Sequence, residues 1–145
     1  IIRTFAKAFG LVATRAGYVL SQEKNIQELL KIRGPYDINM FAKTAILAAL
    51  SDIKYMEDYV KEVMRISKPK LEKFLKENKI DFLPSQANFL LLKIKNPENI
   101  IEKFKAKGIP LRPKEWLDGK TAVRVSIGTL KDTERFISLF SGILT

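Results

Sequence analysis

Between Ser51 and Glu77 the apolar residues Ile53, Met56, Val60, Val63, Met64, Leu71, Phe74 and Leu75 recur at helical spacing. A helical stretch of that length with one apolar stripe needs a partner surface along much of its length, so it constrains the rest of the chain. Pro69 lies inside it and is expected to bend or divide it, because proline has no N–H to give the preceding turn. The stripe itself reads as core rather than as a ligand site.

The texture differs on either side of this stretch. Before it, Ile1–Phe5 and Ala16–Leu20 favour two short strands. They are separated by a small-residue loop, Ala6 to Thr14, containing one lysine and one glycine. Gln22 to Ile32 places Ile26, Leu29 and Leu30 on one face and reads as a helix stopped by Arg33-Gly34-Pro35. Asn39 to Leu50 is Ala-rich and apolar nearly all round, which predicts a buried helix. After Asn78, strands are expected at Asp81-Phe82-Leu83, Asn88–Ile94, Leu111-Arg112 and Ala122–Ile127, with helices at Pro97–Lys107 and Lys131–Ile143. Alternating strands and helices make an α/β or α+β lobe whose sheet is covered by helices. The expected division is therefore 1–50, a connecting helix over 51–78, and a second lobe over 79–145. The N-terminus, Ile1-Ile2-Arg3-Thr4-Phe5, reads like the middle of a strand, so the chain is expected to be part of a longer protein.

Composition removes several chemistries. The chain has neither cysteine nor histidine. Disulfides, thiolate nucleophiles, imidazole-ligated metals and serine–histidine relays are thereby excluded within it. Chemistry falls to Lys, Arg, Tyr, Asp, Glu and the backbone, or to a cofactor. The net charge of +10 invites a nucleic-acid reading. The charge is spread evenly, however, with 12 basic and 7 acidic residues in 1–70 and 14 and 9 in 71–145. Lysines alternate with glutamates, as in Lys70-Leu71-Glu72-Lys73-Phe74-Leu75-Lys76-Glu77, which is the pattern of a solvated helix face. No apolar run approaches the roughly 18 residues of a membrane span.

Lys7 follows a strand and sits among small or apolar neighbours, a setting that disfavours the charged amine. A neutral amine is what Schiff-base chemistry with an aldehyde requires; a solvated lysine at a strand end is the plain alternative. Arg15 follows the small-residue loop and suits bidentate capture of a phosphate, and Thr4 can add a hydroxyl donor. Arg124 stands in the apolar strand Ala122-Val123-Arg124-Val125-Ser126-Ile127, on the face opposite Val123 and Val125. There it would bind an anionic group if that face lines a cleft. Arg112 is a weaker candidate of the same kind.

The segment Thr4-Phe5-Ala6-Lys7-Ala8-Phe9-Gly10-Leu11-Val12-Ala13-Thr14-Arg15-Ala16-Gly17-Tyr18 resembles the cofactor-lysine signature of class-II pyridoxal-phosphate aminotransferases, most of all the histidinol-phosphate aminotransferase group. Pro35-Tyr36-Asp37-Ile38-Asn39, Ser85-Gln86-Ala87-Asn88-Phe89 and Val123-Arg124-Val125-Ser126-Ile127-Gly128-Thr129 match later segments of that family in order and spacing. The resemblance implies a fold-type-I transferase: the C-terminal part of the large domain, the connecting helix and the small α+β domain. It implies that Lys7 carries pyridoxal 5'-phosphate and shuttles a proton, and that Arg15 and Thr4 bind the cofactor phosphate. By the same resemblance Arg124 binds the substrate's acidic group with Arg112 near it, and Tyr36 and Asn39 lie close to the substrate. The family usually has serine where Ala6 stands and a second asparagine where Asp37 stands. One phosphate contact is thus expected to be missing or replaced.

The resemblance further implies amino transfer from L-histidinol phosphate to 2-oxoglutarate in histidine biosynthesis, by a cytoplasmic homodimer without nucleic-acid or membrane partners. Threonine-phosphate decarboxylases and other amino-acid aminotransferases of the same group share its motifs; a basic nucleic-acid-binding module is the alternative of another class. The family's pyridinium-binding aspartate, ring-stacking aromatic and phosphate loop precede the lysine, so this chain alone is expected to be inactive and to hold the cofactor weakly or not at all.

Overall fold

The amphipathic stretch folds in three pieces: α3 (Ile53–Glu62), a π-helical turn (Val63–Ser67) and α4 (Lys68–Glu77). The turn is wound by bonds that reach five residues back, such as Lys68 N–H to Val63 O. Pro69 enters immediately afterwards as an early residue of α4, just where the widened turn before it has already changed the helical bonding. The expected break thus takes the form of a widened turn rather than a kink.

A computed structural model describes residues 1–35, 38–116, 118–119 and 121–144. The chain divides into two compact units, Ile1–Tyr59 and Val60–Thr145, so the latter part of the amphipathic stretch belongs to the second unit. Among the described residues no helix is long and apolar enough to cross a membrane.

In the first unit, β1 (Ile2–Thr4) pairs antiparallel with β2 (Gly17–Val19) in the register Ile2↔Val19, Arg3↔Tyr18 and Thr4↔Gly17. Phe5, Ala16 and Ile46 form a small buried cluster, with Phe9 and Leu11 packed against it. Helix α1 (Glu23–Ile32) follows, and α2 (Met40–Ser51) begins at Asn39, whose Oδ1 accepts the Ala42 N–H at 2.9 Å. The burial expected of α2 is not found. Only Ala42 and Ile46 are buried in it, whereas Phe41 is 89% exposed. A helix that is apolar on every face needs cover on every face, and this unit supplies it on one.

In the second unit, β3 (Asp81–Leu83), β4 (Phe89–Lys93), β5 (Arg112–Glu115) and β6 (Thr121–Ser126) form an antiparallel sheet in the order β3-β4-β6-β5. Helix α5 (Pro97–Ala106) links β4 to β5, and α6 (Leu130–Leu144) closes the chain. Alternation buries Leu90 and Leu92 of β4 and Val123 and Val125 of β6. The helices contribute Leu71, Leu75, Phe104, Phe136 and Phe140 to the buried set, and the rings of Phe104, Phe136 and Phe140 lie 4.9–5.7 Å apart. Each such side chain contributes about 1.5–3 kcal/mol on burial.

The strand expected at Leu111-Arg112 runs instead over Arg112–Glu115. Pro113, Lys114 and Glu115 have poor strand preferences, and pairing with β6 overrides them at a sheet edge, where proline is tolerated. The start of α6 is held twice: Thr129 and Asp132 exchange hydrogen bonds as a capping box, and Glu62 Oε1 accepts the Leu130 N–H at 2.7 Å.

Candidate functional site

Lys7, Arg15 and Thr4 share one loop of the first unit. Two backbone bonds tie the loop to its base, Phe5 N–H to Ala16 O at 3.2 Å and Leu11 N–H to Phe5 O at 3.0 Å. The Phe5 ring packs against Phe9 and Tyr18, with centroids 5.3 and 5.9 Å away. Buried phenylalanine at the base thus fixes a loop whose tip faces outward. Gly10 turns the chain back with φ +69°, and its N–H donates to Lys7 O at 3.0 Å.

Lys7 itself is exposed, so the described residues do not give it the apolar enclosure expected around it. Thr4 Oγ1 accepts the Ala6 N–H at 3.1 Å and makes a long 3.5 Å contact to Ala16 O. Arg15 is also exposed and takes the left-handed conformation, φ 54° and ψ 31°, at the end of a 3₁₀ turn over Val12–Thr14. A non-glycine residue held there carries strain of order 1–3 kcal/mol, a cost that clusters at functional positions. Its Nη1 donates a long 3.4 Å bond to Val12 O.

Gly17 explains how tightly this loop is closed. A Cβ at that position would lie 2.5 Å from Arg3 O, a backbone atom of the paired strand. Gly17→Ala is therefore expected to destabilise the hairpin by roughly 1–3 kcal/mol. A urea titration checks this, and an unchanged midpoint would contradict the reading.

The other cations lie in the second unit, on the sheet face opposite the aromatic core. Arg112 of β5 stands directly across from Arg124 of β6. Like charges placed opposite one another in a ladder repel unless an anion or solvent intervenes. The Arg124 guanidinium lies over the Phe89 ring at 4.2 Å, and its Nε is buried without a hydrogen-bond partner among the described residues. A cavity of about 330 Å³ opens here, lined by Phe89, Leu91, Lys114, Glu115 and Arg124. The face is thus a platform with an apolar floor and the Arg124 guanidinium above it, suited to a carboxylate or phosphate. Sequence reasoning missed Phe89 and Lys114, although the alternation of β4 already places Phe89 away from Leu90 and Leu92.

Asn39, expected near a substrate, is used in this chain as the cap of α2. Tyr36, and Asp37 beside it, lie outside the described residues.

The chain is 34% identical over 142 residues to histidinol-phosphate aminotransferase 2 of Bacillus cereus, covering 96% of this chain and 36% of that protein. It is 35% identical over 145 residues to histidinol-phosphate aminotransferase of Shouchella clausii, covering 99% and 39%. Among solved structures, it superposes on histidinol-phosphate aminotransferase from Sinorhizobium meliloti in complex with pyridoxal-5'-phosphate with a TM-score of 0.74 and 27% identity, over 99% of this chain and 39% of that one. The chain thus spans about two-fifths of the length of these relatives. Its mixed helix-and-sheet fold is that of fold-type-I transferases. The family described as aminotransferase class I and II matches residues 1–140, and the chain belongs to it.

Proposed function

We propose that the full-length protein carrying this chain is a pyridoxal-phosphate-dependent aminotransferase that moves the amino group of L-histidinol phosphate to 2-oxoglutarate. The observation that carries this reading is the backbone-closed segment that holds Thr4, Lys7 and Arg15, a hydroxyl, an amine and a guanidinium within twelve residues. That donor set suits an aldehyde bearing a phosphate, because the amine takes the carbonyl and the other two hold the anion. Relatives named histidinol-phosphate aminotransferase at 31–35% identity support the substrate.

Bound pyridoxal 5'-phosphate supplies the electron sink for the carbanion that amino transfer must generate. This chain's residues do the rest. Lys7 Nζ would be the attachment point for the cofactor and would hold and move the proton at the substrate's α-carbon. Arg15 and Thr4 anchor the phosphate. Arg124, braced on Phe89 and accompanied by Arg112, holds the acidic group of each substrate in turn. Tyr36 and Asn39 belong near the same substrate. Residues 1–50 contribute to the large domain, 51–78 to the connecting helix and 79–145 to the small domain of a cytoplasmic homodimer, whose partners are an amino donor and a 2-oxo acid.

The test is a substrate comparison on full-length protein supplied with the cofactor. Glutamate formation from L-histidinol phosphate and 2-oxoglutarate is the expected result. Carbon dioxide released from threonine phosphate without 2-oxoglutarate would make the protein a decarboxylase instead. DNA affinity with a steep salt slope, and no turnover, would point to a nucleic-acid-binding module.

A further inference from the structure

The sequence gives Lys68 no distinction: it stands just before Lys70-Leu71-Glu72-Lys73-Phe74-Leu75-Lys76-Glu77, the run that reads as a solvated helix face. In the structure it is 6% exposed, unlike the lysines around it. Lysine is almost never buried without partners. The partners of Lys68 are backbone carbonyls: Nζ donates to Ser85 O and, at 3.0 Å, to Ala87 O.

Those carbonyls belong to the turn that leads into β4. The turn is tightened by the Ala87 N–H bond to Ser85 Oγ at 2.9 Å. One residue later, Asn88 O accepts the Ile127 N–H at 2.9 Å and so joins the turn to the end of β6. The next residue is Phe89, whose ring lies under the Arg124 guanidinium. Contacts therefore run unbroken from Lys68 through the turn to Phe89 and Arg124. The π-helical turn matters here, because one residue more or less would rotate Lys68 by about 100° around the helix axis and away from the carbonyls.

We propose that Lys68 is a positioning residue for Arg124, pinning the Ser85–Asn88 turn so that Phe89 holds the guanidinium at the angle its acidic ligand requires. This inference rests on the reading of Arg124 as a substrate-binding residue. Side chains that lock a binding group govern affinity even without touching the ligand, since small displacements are costly.

The test compares Lys68→Met, Lys68→Arg and Arg124→Ala in the full-length holoenzyme. Lys68→Met keeps the length and packing of the side chain and removes its donors. It is expected to raise KM for 2-oxoglutarate about tenfold while kcat stays within about twofold. Hydrogen exchange at the Ile127 amide should quicken in the same variant, and Lys68→Arg, which restores donors, should bring both readouts back. If Lys68→Met does not fold, Lys68→Gln takes its place under the same thresholds. An unchanged KM in the Lys68 variant, with KM raised in Arg124→Ala, overturns the positioning role alone. An unchanged KM in Arg124→Ala as well overturns the reading of Arg124, and the positioning role falls with it.

Discussion

Lys7→Ala in the full-length protein is expected to lower kcat for amino transfer by about four orders of magnitude, the upper range of what a positioned acid–base group contributes. The substitution removes an attachment point and a proton carrier at once, so the loss should exceed that of any other single change in the loop. Lys7→Arg is the informative partner. It keeps a long basic side chain at the tip of the loop but cannot attach to an aldehyde or hand over a proton at neutral pH. Both variants should fold as the parent does, because Lys7 is exposed and its part in the loop's bonding is a backbone one, its carbonyl accepting the Gly10 N–H. Unchanged thermal midpoints with near-zero turnover would separate this from a folding defect. Turnover within tenfold of the parent in Lys7→Ala would remove Lys7 from the chemistry.

Arg124→Ala carries the second large effect. Hydrogen bonds to a charged group contribute roughly 1.5–3 kcal/mol, so KM for 2-oxoglutarate should rise about 10- to 150-fold. Arg124→Lys should recover only part of this, because a lysine restores the charge but not the planar pair of donors, and it cannot lie flat over Phe89. Arg112→Ala should cost less, since Arg112 is exposed at the edge strand while Arg124 is partly enclosed. Equal effects of the two changes would mean that the guanidinium pair acts as one unit rather than as a principal ligand and its neighbour.

The difference between what could and could not be read from the sequence is one of range. Helical periodicity and strand alternation are local, and β3, β4, β6, α1, α5 and α6 lie where those patterns put them, within a residue or two. Pro69 announced a break but not its π-helical form, which depends on bonds across the whole turn. The exposure of Phe41 and Met40 was not legible, because composition says that α2 is apolar all round and not what stands beside it. β5 passes through Pro113, Lys114 and Glu115 only because β6 is there to pair with it.

The candidate site divides in the same way. Residue types suited to an aldehyde, a phosphate and a carboxylate were visible at Lys7, Arg15, Thr4 and Arg124. That Arg112 faces Arg124 across the ladder is a matter of register, fixed by residues distant in the chain. Phe89 under the guanidinium and the burial of Lys68 are likewise products of packing, and no single segment records either.

The most direct measurement is the fate of Lys7 when the full-length holoenzyme is reduced with sodium borohydride, which makes a lysine–cofactor link permanent. Digestion and peptide mass analysis then locate the modified lysine. The expected result is a single pyridoxyl group on the peptide that contains Lys7. A pyridoxyl group on a different lysine, or none in a protein that still transfers amino groups, would contradict the assignment of Lys7 as the cofactor-bearing residue.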